Sequence, residues 1–354
     1  MGQDRQDGAP RAVLIGAGMV AATHLRACRA AAGTVALHGI MARRPEAARA
    51  LAAEEGIARD ELHFYATAEE VAADPQVDFA IIVTPPDARA ALIAPLAAAG
   101  KHVLLEKPVA RDLAEAAEVV AICEAAGVTL GLVFQHRMRA ASRRAAALVA
   151  SGGLGALGLA EIRVPWWRGQ DYYDEPGRGT HARDGGGVLI TQAIHAMDLA
   201  LSLTGPVTRV QAMTATTRLH RMEAEDFAAA GLGFASGAVG SLYAATAAFP
   251  GGEDSIALHF EKASLTLSAG HLAVRWRDGR IEEAGSGTGS GGTADPMGFG
   301  HELHQAVIED FAAAIRDGRP PAATGQAALE VHRLIEATTV SARDGRIWLA
   351  EDAA

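Results

Sequence analysis

Lysine is nearly absent from this chain. Of 32 basic residues among 354, only Lys101, Lys107 and Lys262 are lysine, and the other 29 are arginine. Cysteine is scarcer still: Cys28 and Cys123 stand far apart, with no metal-ligand or redox spacing. That excludes a disulfide framework and a thiolate metal cluster. Positive charge is in deficit, 32 basic against 42 acidic residues for a net charge of -10, and no basic run interrupts it. A nucleic-acid partner is therefore not expected. Long apolar runs are missing too. Glu, Arg, Pro or Gly break the Ala-rich stretches before the ~20 residues that span a bilayer. The N-terminal MGQDRQDGAPR lacks the basic and apolar regions of a signal peptide, and Gly2 lacks the Ser or Thr that marks myristoylation. A cytoplasmic protein without a membrane partner is expected.

What is present is ample chain. At ~150 residues per domain, 354 residues suggest about two domains, large enough to need no staple. The first third alternates strand and helix. Ala12–Ile15, Thr34–Met41, Phe79–Val83, His102–Leu105 and Val128–Phe134 read as strands. Helices are expected over Val20–Ala32, Pro45–Glu55, Ala88–Ala99 and Leu113–Ala126. FAIIV at 79–83 has the continuous apolar character of a strand buried on both faces. Repeated βα units imply a Rossmann-type, doubly wound parallel sheet. After about residue 150 strands follow one another: Leu157–Val164, Thr208–Thr216, Phe227–Phe234, Ala238–Ala247, Ile256–Phe260, Ser264–Leu267 and Leu272–Trp276. Ser236-Gly237 is a hairpin signal. Helices are expected over Val188–Leu203, His301–Arg316 and Gln326–Ala342, and 284–300 reads as a Gly/Ser-rich loop. The expected architecture is a nucleotide-binding domain over 10–128 and an α+β domain on a mostly antiparallel open sheet over 129–354. The closing helices are free to pack back on the first domain.

Gly16-Ala17-Gly18-Met19-Val20-Ala21 follows a strand and opens a helix. Glycines allow the tight turn and the close approach of a pyrophosphate, which the helix N-terminus then faces. The second strand ends in Met41-Ala42-Arg43-Arg44-Pro45, without the carboxylate that would bind a ribose 2′-hydroxyl. Two guanidiniums there favour the 2′-phosphate of NADP, with NAD the alternative. Leu105-Glu106-Lys107-Pro108 stands at the carboxyl end of a buried strand, where such sheets bind ligands. A partly desolvated lysine there can transfer a proton, which arginine cannot. Lys101 reads as a solvated residue ahead of a strand and Lys262 as turn surface.

Asp184-Gly185-Gly186-Gly187 precedes a helix bearing Thr191, Gln192, His195 and Asp198. Spacings of four and three put Thr191, His195 and Asp198 on one helical face, where Thr191 and Asp198 could orient the imidazole. Trp166-Trp167-Arg168 and Tyr172-Tyr173-Asp174, with Arg178 and Arg183, gather four of the chain's eight Trp and Tyr residues. Such a cluster suits a sugar or an acidic ring, or else plugs the underside of a loop. His301-Glu302-Leu303-His304 is one residue short of HExxH, so it reads as a helix start. No metal is expected.

These motifs, in this order, resemble the glucose–fructose oxidoreductase / inositol 2-dehydrogenase / MocA family, over about Ala12 to Leu349. Thr84-Pro85-Pro86 resembles the family's T-P-N segment near the nicotinamide. Glu106-Lys107-Pro108 matches its E-K-P signature, whose lysine is catalytic or substrate-binding. GGGVLITQAIHAMDL resembles the element that carries the catalytic histidine. The chain departs from the pattern at Thr191, where many members carry Asp, and at Pro86, Arg89 and Ala193, where Asn, His and Gly are common. The resemblance implies an NAD(P)-dependent oxidoreductase moving hydride between nicotinamide and a carbinol or ketone carbon of a sugar, cyclitol or related polyol. Gly16, Ala17, Gly18, Met19, Val20, Ala42, Arg43, Arg44, Thr84, Pro85, Pro86, Glu106 and Lys107 would bind the cofactor. Lys107 and His195 would handle protons, with support from Thr191 and Asp198. Trp167, Arg168, Tyr172, Tyr173, Gln192 and His195 would meet substrate. Two rival readings stand beside it: a lyase or glycoside-cleaving enzyme whose tightly held cofactor cycles transiently, and a non-catalytic NADP sensor. A homodimer or homotetramer is expected.

Overall fold

The computed structural model describes residues 8–58, 60–285 and 300–353. Two compact units emerge: Met1–Ala110 with Ala114–Gln135 and Gly300–Gln326, and Arg111–Leu113 with His136–Phe299 and Ala327–Ala354. The first carries β1 (Arg11–Ile15), β2 (Ala36–Met41), β3 (His63–Tyr65), β4 (Phe79–Ile82), β5 (His102–Leu105) and β6 (Leu130–Leu132). They form a parallel sheet in the order β3-β2-β1-β4-β5-β6. Every residue of β4 is buried, as its uninterrupted apolar run requires. The strand order reverses at β1 and β4, so the crevice at their carboxyl ends is where this architecture takes a ligand. The helices expected from the sequence form at Ala21–Ala30, Pro45–Glu54, Arg89–Ala98, Leu113–Ala125 and Glu302–Asp317.

The second unit carries β7 (Leu157–Pro165), β8 (Val207–Ala215), β9 (Phe227–Phe234), β10 (Val239–Ala245), β11 (Ser255–Phe260), β12 (Ala263–Ser268), β13 (His271–Trp276), β14 (Ile281–Ala284) and β15 (Trp348–Leu349). Their order is β14-β13-β12-β11-β7-β10-β9-β8-β15, antiparallel throughout except where β10 runs parallel to β7. Alternating burial along β9 and β11 shows one face packed and one more open. Gly237, at φ +87°, makes the expected hairpin between β9 and β10. β3, β14, β15 and the helices Ala68–Ala73 and Ala140–Ala150 went unread, being short, polar or without apolar periodicity. The loop expected at 284–300 lies, apart from its ends, outside the described residues.

By length and composition alone His181–Thr204 could cross a bilayer, but 89% of its most apolar window is buried inside the protein, as in a core segment. One expectation needs correction: Lys101 is not solvated. Only 8% exposed, it donates from Nζ to the carbonyls of Asp74 at 2.7 Å and Val77 at 2.8 Å. The turn between Ala68–Ala73 and β4 leaves these carbonyls pointing at one place, and a compact ammonium on a flexible stem fits there where a planar guanidinium does not. Lys101→Met should lower unfolding stability by ~1–3 kcal/mol, because two buried carbonyls lose their donor. Urea denaturation would read it, and a midpoint equal to wild type would show that water replaces the ammonium without cost.

Candidate active site

The first unit's part of the site begins where β1 ends. Gly16 has φ +117°, and its N–H donates to the carbonyl of Met41 at 2.8 Å. A Cβ there would come within 3.0 Å of Val83 Cγ2, whereas one on Gly18 would meet nothing within 4 Å. The turn is thus closed toward the sheet and open above it, a cradle that backbone can offer to a pyrophosphate. Ala17 and Val20 are half-buried at its sides, and Met19 is exposed. The helix Ala21–Ala30 has no acidic residue in its first turn, so its N-terminal dipole stays available to an anion. Ala42 is buried at the end of β2, with Arg43 and Arg44 exposed beside it. Thr84 Oγ1, after β4, is buried without a hydrogen-bond partner, a polar atom left for a ligand in the same crevice. Pro85 is exposed and Pro86 opens a short 3-10 turn. These residues fit a dinucleotide.

At the end of β5, Glu106 is buried and its carboxylate receives His24 Nε2 at 2.8 Å and the N–H of Lys107 at 3.1 Å. His304 Nε2 lies 3.7 Å away, its ring edge-on to that of His24 at 5.1 Å. Burial lowers the pKa of His24, so its neutral ring donates from Nε2. Burial would raise Glu106, yet its histidine partners hold it well below the usual carboxylate range. A buried guanidinium supplies the counter-charge. Arg89 donates to the carbonyls of Thr84 at 2.9 Å and Val109 at 3.3 Å and to that of Glu106, and burial lowers it only to about 10. The turn carrying half-buried Lys107 is therefore clamped from both sides. His24, Glu106 and His304 offer ligand atoms within 4.8 Å of one another. The hydrogen bonds from His24 and from the Lys107 N–H already occupy both carboxylate oxygens, and nearby Arg89 compensates the charge. HELH thus starts a helix, as read, but its second histidine belongs to this cluster, which the sequence reading missed.

In the second unit the candidate residues follow the glycines before His195. Gly185, at φ +83°, ends the short helix His181–Asp184. A Cβ on Gly187 would lie 1.8 Å from the carbonyl oxygen of Glu225, so only glycine permits that approach. Glu225 in turn accepts from the N–H groups of Gly187 and Leu189, both at 3.1 Å, and its carbonyl from Val188 at 2.8 Å. Desolvation raises the Glu225 carboxyl against those bonds. Leu189–Ala193 then forms a π-helical turn before the α-helix Ile194–Thr204. Such turns insert one residue into a helix and recur at functional sites.

Within this turn Thr191 bonds back to the Gly187 carbonyl at 2.6 Å and meets Gln192 Oε1. Gln192 Nε2 donates to the Tyr172 hydroxyl at 3.2 Å, which also receives Arg178 at 3.1 Å. Thr191, Gln192, Tyr172 and Arg178 thus form one polar chain. The His195 ring stacks on that of His136, centroids 4.8 Å apart.

Residues 11–134 match a family model described as an oxidoreductase family with an NAD-binding Rossmann fold, and residues 142–266 match the GFO/IDH/MocA C-terminal domain. The chain belongs to the Gfo/Idh/MocA oxidoreductases. D-apiose dehydrogenase of Paraburkholderia graminis is 29% identical over 352 residues, covering 95% of this chain and 88% of that one. 1,5-anhydro-D-fructose reductase of Ensifer adhaerens is 27% identical over 331 residues, covering 88% and 90%. Among solved structures, the WlbA dehydrogenase from Bordetella pertussis, in complex with NADH and UDP-GlcNAcA, is 29% identical with a TM-score of 0.79 over 97% of this chain and 99% of that one.

Three assignments in this Gfo/Idh/MocA oxidoreductase differ from the sequence reading. Asp198 is fully buried, and both its oxygens receive Arg137, at 2.6 and 2.7 Å. The carboxylate expected to orient His195 is held by that guanidinium fork. Tyr173 and Arg168 are buried and serve packing rather than an open sugar pocket. The Tyr173 hydroxyl bonds Thr246 at 2.6 Å, and burial pushes its pKa well up. Arg168 lies over the rings of Trp166 and Tyr172, at 5.2 and 5.8 Å, while its carbonyl accepts from His220 at 2.8 Å, whose other nitrogen pairs with Asp226. Trp167 and Tyr172 are half-buried. His24, His136, Arg137 and Glu225 escaped the sequence reading, each acting through a partner distant in the chain, and Arg89 entered it only as a departure from the family pattern.

Burial raises the Asp198 carboxyl to about 6, with Arg137 pulling the other way. An unfolded Asp titrates near ~3.9. Between these values the native state keeps a proton that the unfolded chain has released. This group's stabilisation is therefore complete below ~4 and lost as pH rises through 6. Urea unfolding across that window should show stability falling more steeply in wild type than in Asp198→Asn. Parallel slopes would remove Asp198 from the linkage.

Proposed function

We propose that this oxidoreductase moves hydride between a nicotinamide cofactor and a carbinol or ketone carbon of a sugar, cyclitol or related polyol, with NADP preferred. The observation that carries the reading is the doubly clamped Glu106–Lys107 turn at the carboxyl end of β5, in the unit that also holds the open Gly16–Gly18 cradle. The relatives support the substrate class: their names specify D-apiose and 1,5-anhydro-D-fructose, and the related WlbA structure contains NADH with a nucleotide sugar.

The nicotinamide, when bound, supplies or accepts the hydride, and the protein contributes position and proton handling. Gly16, Ala17, Gly18, Met19 and Val20 present backbone to the pyrophosphate. Thr84, with Pro85 and Pro86, would face the nicotinamide end, where the buried Thr84 hydroxyl can turn to a ligand acceptor. Arg43 and Arg44 would take the 2′-phosphate, beside an Ala42 that offers no carboxylate to compete. Glu106 fixes the backbone of Lys107, and the Lys107 ammonium gives a proton to the reacting oxygen or takes one from it. His195 is the partner acid–base group. Gln192, Tyr172 and Trp167 would meet substrate hydroxyls and the apolar faces of the ring, with Thr191 holding Gln192. The second sheet's open face, where Leu159, Met213 and Val239 are exposed, supports association as a homodimer or homotetramer.

Lys107→Arg keeps the charge and removes the proton donor. Turnover on a polyol and sugar panel should fall ~10²-fold or more, with nucleotide binding retained. Wild-type turnover in that variant would take Lys107 out of the mechanism. In the same assays, replacing Arg43 and Arg44 together with Ser should weaken NADP binding ~10- to 100-fold and leave NAD nearly unchanged. Equal losses for both nucleotides would remove the 2′-phosphate role.

A further inference from the structure

A second imidazole lies against the one assigned to acid–base work. The rings of His136 and His195 stack with centroids 4.8 Å apart and planes tilted 27°. Both side chains are buried, at 6% and 7% exposure. His136 comes from the short turn Gln135–Met138, His195 from the first turn of Ile194–Thr204.

The surroundings of His136 fix its state. Arg139 Nη2 lies 3.1 Å from His136 Nε2. A guanidinium only donates and does not deprotonate, so Nε2 accepts and the ring's proton sits on Nδ1. That nitrogen faces Asp254 Oδ2 at 3.8 Å, a distance for charge attraction rather than a hydrogen bond. Glu253 adds negative charge beside Arg139, and Arg137 is neutralised by Asp198. Protonating His136 would turn its acceptor into a donor, break the Arg139 bond and set two cations 3.1 Å apart. The attraction of Asp254 acts in the opposite sense from farther away. His136 therefore stays neutral, and a neutral aromatic face accommodates a cation where a second imidazolium repels it.

We propose that His136 is a positioning residue of His195: Arg139 keeps it neutral, and its ring sets the plane of His195 while still allowing His195 to carry a proton. This rests on the acid–base role given to His195 above.

The test pairs pH profiles of kcat and kcat/KM with an NMR titration of the histidine rings, in the intact chain with saturating nucleotide. His136→Ala should lower kcat ~10-fold or more with little change in KM, while His136→Phe, which keeps a flat ring, should stay within a few-fold of wild type. Arg139→Met should let His136 take up a proton and move the acid limb of the profile to lower pH by ~0.5 unit or more. Arg139→Lys should restore it. A merely structural role would change stability without moving that limb. Wild-type profiles in both His136→Ala and Arg139→Met, alongside lost turnover in His195→Asn, would overturn the proposal and spare the parent reading. Retained turnover in His195→Asn would sink the parent reading and this one with it. A His136 resonance that titrates identically with and without Arg139 would also overturn it.

Discussion

A buried carboxylate normally protonates or finds partners, because leaving it charged in a low-dielectric interior is costly. Glu106 keeps its charge, and the functional edge of the first unit is arranged around that fact. His24 reaches it from the helix that follows the glycine turn, and His304 from a helix almost two hundred residues later. Arg89 brings the compensating cation nearby and spends its donors on the backbone carbonyls of Thr84, Glu106 and Val109. One charge therefore ties the nucleotide turn, the Thr84 segment and the Lys107 turn into one piece. Removing either partner would leave an uncompensated ion in the core, so the cluster is conditional on all its members.

The second unit solves a similar problem with a different carboxylate. Glu225, from the segment leading into β9, caps the N–H groups at the start of the π turn. The close approach that makes this possible is allowed by Gly187 alone. The polar chain from Thr191 to Arg178 and the stacked pair at His195 both depend on where that helix begins. Behind them lies a buried layer in which Tyr173 bonds Thr246 and His220 bridges Asp226 and the Arg168 carbonyl.

The fold was legible because its signals are local. FAIIV, the glycine turn, the helix-ending glycines and the run of strands after residue 150 each follow from a few adjacent residues. The candidate site was legible at Gly16–Gly18, Lys107 and His195 for the same reason, with family resemblance adding Thr84 and Glu106. What was not legible lies at long range. Asp198 stands three residues from His195, yet its partner is sixty-one residues upstream. Lys101 looked like surface until two carbonyls from an unread turn met its ammonium. Helical spacing predicted one face for Thr191, His195 and Asp198, but Thr191 lies in the π turn and the other two in the α-helix after it.

That π turn has a further consequence. Each residue of an α-helix advances the side-chain direction by ~100°, so one surplus residue acts as a phase offset. The turn itself and the helix behind it report to different surroundings: Gln192 to the aromatic loop, His195 and Asp198 to the turn after β6. Substitutions that retune the first can accumulate without rotating the second. Deleting a single residue within Leu189–Ala193 would instead restore a plain helix and swing one half by about a quarter turn, a change of aim that no point substitution could undo.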